Sequence, residues 1–97
     1  MKNITIRKDA ELDIDDAYRW YETNKDGLGD KFLENLTESF RKMKEFPKIY
    51  PTVHRNIRRA FVRKFPYGIF YLESEESTIV VAVMHAKKNP TNWRVRI

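Results

Sequence analysis

The sequence contains no cysteine, three glycines, four prolines and two histidines. Without cysteine there is no disulfide framework, no thiolate zinc site and no thiol nucleophile. Two histidines are too few for a histidine-rich metal centre, so neither a metal nor a cofactor is expected. No apolar run approaches the roughly 18 to 20 residues that span a bilayer. The opening segment, Met1–Ala10, is mixed and charged rather than apolar. It lacks the character of a secretory leader, and a cytoplasmic protein is expected. The scarcity of glycine and proline, with 41% hydrophobic and 13% aromatic residues, excludes a disordered chain. A length of 97 residues suits one domain, 1–97, with one modest core.

Charge is unevenly spread. Residues 1–45 carry 9 Lys/Arg against 11 Asp/Glu, a net of −2, whereas residues 46–97 carry 10 against 3, a net of +7. The second half therefore projects a field that attracts polyanions such as nucleic acid, or an acidic protein segment.

Ile4 and Ile6 alternate with Asn3, Thr5 and Arg7, which predicts a short strand with one buried face. Asp9 is a candidate N-cap, and Glu11, Asp13, Asp15 and Asp16 crowd the opening turns of a helix. These acids read better as helix-start residues than as a metal cluster. Ile14, Ala17, Tyr18 and Tyr21 recur at helical spacing across residues 10–25. After the turn Lys25–Gly29, a second stripe runs through Leu28, Phe32, Leu36, Phe40 and Met43 until Pro47 ends it. The short link predicts a helical hairpin. Trp20 and Tyr21 are adjacent, so one faces the core and the other faces outward.

Phe46–Asn56 reads as a loop around two prolines. Ile57–Phe65 and Ile69–Glu73 read as strands, separated by the bend Pro66-Tyr67-Gly68. Thr78–His85 is a strand covered on both faces, being nearly all apolar and β-branched. Asn89-Pro90 opens an irregular tail. The order β-α-α-β-β-β predicts an α+β fold: a helical hairpin on one face of a mostly antiparallel four-stranded sheet. The opposite, basic face is then expected to lie open. Arg58 and Arg59 fall on opposite sides of their strand, so the pattern alone leaves open which arginines reach that face.

The segment Arg58–Tyr71, with its Phe65-Pro66-Tyr67 turn, resembles a signature of the RelE/ParE superfamily of toxins from type II toxin–antitoxin modules. So does Ala82-Val83-Met84-His85 followed by Asn89-Pro90-Thr91-Asn92-Trp93-Arg94. Trp20-Tyr21-Glu22, Gly27-Leu28-Gly29 and Phe32 extend the resemblance over nearly the whole chain. It implies the helical-hairpin-on-sheet fold derived above. It also implies a cognate antitoxin, whose acidic and partly disordered C-terminal segment would wrap the toxin. Within the superfamily, ParE-like members poison DNA gyrase and RelE-like members cut messenger RNA on the ribosome.

The residues weigh differently on the two branches. Messenger RNA cleavage needs a base for the 2′-hydroxyl proton, cations for the crowded phosphate and an acid for the leaving oxygen. RelE-like enzymes place a tyrosine near the C-terminus, but no tyrosine follows Tyr71 here, and the indole of Trp93 is a poor proton carrier. His85, late in the last strand, is the candidate catalytic group on that branch, with Arg63, Lys87 and Arg94 on the phosphate. It reads equally as a structural sheet residue. His54 reads as a solvated loop residue. Gyrase poisoning needs only a basic and aromatic surface. Arg58, Arg59, Arg63, Lys64, Lys87, Lys88, Trp93 and Arg94 are the target-binding candidates, with Arg96 beside them. The Phe-Pro-Tyr turn and the tail favour the ParE-like branch, and the RelE-like endoribonuclease is the alternative.

Overall fold

Short alternating strands can be stable only when paired, and the Ile4/Ile6 strand finds its partner at the far end of the chain. In a computed structural model that describes residues 3–96, β1 (Asn3–Ile6) pairs in parallel with β5 (Ser77–His85). Met1 and Lys2, part of the opening segment considered above for a leader, lie outside the described residues. Antiparallel pairing joins β5 to β4 (Tyr67–Glu73), β4 to β3 (Ile57–Phe61) and β3 to β2 (Thr52–His54). The sheet order is β1-β5-β4-β3-β2. The sheet is thus mixed and five-stranded rather than four-stranded. The extra strand, β2, lies within the stretch read as a loop, where two prolines just ahead of it mask a three-residue pairing.

Helices α1 (Lys8–Asn24) and α2 (Leu28–Glu45) form the hairpin. Asp9 is not the N-cap of α1: the helix already begins at Lys8, and the extended backbone of Arg7 precedes it without a side-chain cap. Asp9 and Glu11 instead sit in the first turn, where they complement the helix dipole. The start of α2 is capped from its neighbour. The backbone N–H groups of Gly27 and Gly29 both donate to the Glu22 carboxylate, each at 2.9 Å. Gly29 also permits close helix contact, since a Cβ there would stand 2.8 Å from the Tyr18 carbonyl oxygen.

The hairpin covers one face of the sheet. Phe32, Leu36 and Met43 of α2 and Ala10 and Ala17 of α1 meet Ala60, Val62, Ile69, Tyr71, Val80 and Val83 in the main core. An aromatic cluster closes one end: Tyr21, Phe65 and Tyr67 surround Phe32 with centroids 5.3–5.5 Å away. Tyr21 faces inward while its neighbour Trp20 is 63% exposed, as adjacency on a helix demands. The buried Tyr71 hydroxyl donates to the Pro47 carbonyl at 2.8 Å, and burial pushes that phenol up to about 12.

The opposite face carries a second, smaller core of Ile57, Phe70, Val81, Ala82, Met84 and Trp93. Val81 and Ala82 both belong to it because β5 bulges between its pairings with Tyr71 and Phe70. The bulge also changes the setting of His85, which shares its face with Val83 but not with Val81.

Candidate functional site

The second face is not the open surface expected from the element order. The tail turns back over it through a short helix, α3 (Thr91–Arg94), and Trp93 stacks on Phe70 with centroids 4.4 Å apart. Trp93 is 5% exposed, so its ring serves as a lid on Phe70 rather than as an exposed contact. The physical reason is plain. A sheet face bearing Ile57, Phe70, Val81 and Met84 cannot stay bare in water, and the tail holds the nearest large apolar side chain.

A fork of hydrogen bonds fixes the end of that tail. Because β1 pairs with β5 only as far as Val80, the outer backbone of β5 beyond that point must find other partners. The Val83 N–H donates to Asp13 Oδ2 at 3.0 Å, and the Val81 carbonyl accepts from Arg96 Nη1 at 3.2 Å. Arg96 closes the circuit with two bonds to the Asp13 carboxylate, at 2.6 and 3.1 Å. Arg7 donates to the Arg96 carbonyl at 2.7 Å. The bond from Asp13 raises the guanidinium pKa of Arg96 above its ordinary value. Asp13 and Arg96 are therefore structural, and neither role was legible from sequence, where one read as a helix-start acid and the other as a surface cation.

Between α3 and the strand ends remains a cleft of about 120 Å3, lined by Arg59, Phe61, Phe70, His85, Lys88 and Trp93 among others. Strand alternation puts Arg59 and Phe61 together on this face. The Arg59 guanidinium lies over the Phe61 ring at 4.7 Å, and Phe61 is 51% exposed. Sequence reasoning missed Phe61, although its spacing of two from Arg59 on a strand is the signal that would have found it. Arg94 covers the outer side of Trp93 at 5.4 Å, and Lys87 is exposed in the turn between β5 and α3.

The other candidate cations are elsewhere. Arg58 points to the helix side, where its Nη1 donates to the Tyr50 carbonyl at 2.6 Å and the Lys48 carbonyl at 3.3 Å. Arg63 and Lys64 occupy the exposed turn between β3 and β4, where Lys64 has a left-handed φ of 68°. Lys64 lines a hollow beside α2, and Arg63 helps to lower the carboxyl pKa of Glu38, though the bond from Arg41 does so most. Of the eight proposed target contacts, Arg59, Lys88 and Trp93 therefore meet in the cleft, with Lys87 and Arg94 near it.

His85 stands at the rim, edge-on to Tyr67 with centroids 5.4 Å apart. Its Nδ1 accepts a hydrogen bond from the Lys87 backbone N–H at 3.1 Å. A neutral imidazole held in this way carries its proton on Nε2 and presents an N–H to its surroundings, not a lone pair. His54 lies beside Trp93 at 6.0 Å. Desolvation lowers its pKa, and Arg94 and Arg55 lower it further.

Two other grooves flank the molecule. One, of about 260 Å3, lies between α1 and the end of β5 and is bordered by Asp16, Trp20, Tyr67 and His85. A wider one, of about 510 Å3, lies between β1 and α2, with Ile4, Ile6 and Phe40 as its apolar floor and Arg41 and Lys44 at its side. Among the described residues no group of three or more His, Asp and Glu could hold a metal ion, and no helix is long and apolar enough to cross a membrane.

A family model described as the ParE toxin of the type II toxin–antitoxin system parDE matches residues 4–90. A solved structure titled "Chromosomal ParDE TA system from P. aeruginosa" is similar in fold. It has a TM-score of 0.66 and 13% sequence identity, over 88% of this chain and 96% of that one. No curated protein matches in sequence.

Proposed function

This chain belongs to the ParE family of type II toxin–antitoxin toxins, and from that premise we propose that it arrests growth by binding DNA gyrase through the cleft face, without chemistry of its own. The observation that carries this reading is the state of His85. A nuclease that used this imidazole as its base would need a free ring lone pair, yet the Nδ1 lone pair is taken by the Lys87 N–H, which leaves the proton of the neutral ring on Nε2. Tyr67, the phenol next to it, is half-buried on the helix side, and its pKa is raised by desolvation and by Asp13 and Asp16. A phenol made harder to ionise is a poorer base at neutral pH. What the face offers instead is Arg59 stacked on Phe61, Lys88, and Arg94 over Trp93, the arginine and aromatic types that anchor protein interfaces.

A cognate antitoxin partner follows from the family. The β1–α2 groove suits an acidic, apolar-patterned segment that folds on binding: Ile4, Ile6 and Phe40 would take its apolar side chains, and Arg41 and Lys44 its carboxylates. On this reading the toxin meets both partners in the cytoplasm.

Expression in cells carrying a DNA-damage reporter tests the reading. Gyrase poisoning induces the reporter before translation falls, and His85→Ala leaves toxicity close to wild type. Early arrest of translation with intact DNA, together with a loss of on the order of 100-fold in His85→Ala, would instead identify a messenger RNA endoribonuclease.

A further inference from the structure

We propose that the cleft beside α3 is a socket for one carboxylate side chain of the toxin's protein target, and that Arg59 is the residue that selects it. The inference rests on the target-binding reading above and names the chemistry by which that surface recognises its partner.

Three observations converge. First, Arg59 is half-buried, and no acceptor among the described residues reaches its buried Nε. A buried N–H left without a protein acceptor is costly to keep dry, so a small shift that admits an oxygen to it is favoured. Second, the guanidinium is held in place. It stacks on Phe61, and its stem passes over Gly68, where a Cβ would meet Phe70 ring atoms at 3.1 Å and Arg59 Cδ at 3.4 Å. The absent side chain at residue 68 is what leaves room for the Phe70 ring beside the arginine stem. A planar fork held against an aromatic ring suits a carboxylate, whose two oxygens can take two parallel N–H bonds. Lys88 at the rim adds a second positive charge, and Phe70 and Trp93 exclude water from the inner wall.

Third, the cleft is small. About 120 Å3 falls well below the roughly 300–1,000 Å3 of pockets that enclose drug-sized ligands. The end of an acidic side chain fits within it, whereas a nucleotide would be confined to the rim. Size and geometry therefore favour an acidic protein segment over a nucleic acid strand.

The test has two arms on the full-length chain. In the first, the wild type, Arg59→Lys and Gly68→Ala are assayed for retention on immobilised gyrase. Arg59→Lys keeps the charge but loses the planar fork, and it is expected to bind roughly 10- to 100-fold more weakly. Gly68→Ala leaves every charge in place, presses on the Phe70 ring of the cleft wall and weakens binding in the same direction. Wild-type retention with unchanged affinity in Arg59→Lys overturns the socket and leaves the gyrase reading standing. Absence of wild-type retention overturns the gyrase reading, and the second arm then decides the socket alone. In that arm the Arg59 Nε–H resonance is followed by NMR while a short polyglutamate peptide or an oligothymidine of equal charge is added. A saturable shift of that resonance with the peptide, while the Nε–H resonances of the other arginines stay in place, supports the socket. No response to the peptide, or a larger one to the oligothymidine, overturns it.

Discussion

The two faces of the central sheet are built on opposite plans. One is sealed by two helices of 17 and 18 residues, which bring Phe32, Leu36 and Met43 onto a continuous core. The other is held by a four-residue helix, one indole on one phenyl ring, and the fork between Arg96 and Asp13. The first face is closed over except at its β1 edge, where the groove beside α2 stays open. The second is covered only as far as its apolar residues require, and a cationic cleft remains at its edge. Stability and recognition are thereby assigned to opposite sides of the same five strands, with β4 and β5 facing both.

Truncating the central ring on each face tests that division directly. Phe32→Ala removes a fully buried ring with three aromatic neighbours. It should cost about 3–5 kcal/mol in denaturant unfolding, much of the total for a domain of this size. Trp93→Ala should cost less, about 2 kcal/mol, because the tail can collapse into the space or lift away. Hydrogen exchange separates the two. Phe32→Ala should lower protection throughout the sheet, whereas Trp93→Ala should lower it in residues 81–96 and leave α1 and α2 unchanged. Uniform loss of protection in Trp93→Ala would mean that the faces are not energetically separate.

The fork comes next in size. The Asp13 and Arg96 side chains are only 15% and 19% exposed, so their pairing is screened less than a surface ion pair. Asp13→Asn keeps the shape but removes the charge that receives two guanidinium bonds and the Val83 N–H. We expect a loss of about 1–2 kcal/mol, between the values for exposed and fully buried pairs. Arg96→Lys should recover little of the stability lost in Arg96→Ala, because an ammonium cannot span both carboxylate oxygens and the Val81 carbonyl. Full recovery by lysine would show that charge alone, not the fork, holds the tail.

The helix side was legible in the sequence for the same reason that it is stable. The stripe Leu28, Phe32, Leu36, Phe40, Met43 has a period that only a helix satisfies, and the apolar run of β5 announces a strand buried on both faces. The tail side resisted reading because its contacts join distant residues of unlike type. Nothing in the spacing of Asp13 and Arg96 marks them as partners, 83 positions apart. Trp93 looked like a surface anchor because an isolated aromatic in a polar tail has no periodicity to place it. The bulge at Val81, which assigns His85 its face, leaves no trace in a β-branched run. The site was therefore half legible: Arg59 and Lys88 were named among the cations, but Phe61, which positions the arginine, was not.

The smallest effect we predict concerns pH and belongs to the tail side alone. His54 sits against Trp93, and desolvation, with the nearby Arg94 and Arg55, disfavours its protonated form in the folded chain. Its folded pKa lies below the ordinary imidazole value, so between the two the unfolded chain binds the proton more readily. Stability should then be at its full value above that pH and decline as the pH falls toward the folded pKa. A thermal melt at pH 5.5 compared with one at pH 7.5 should show the decline in wild type and a smaller one in His54→Gln. Added salt should shrink the part due to the two arginines and leave the part due to desolvation. A rise in stability on acidification that disappears in His54→Gln would reverse the sign and mean that His54 has an anionic partner on that face.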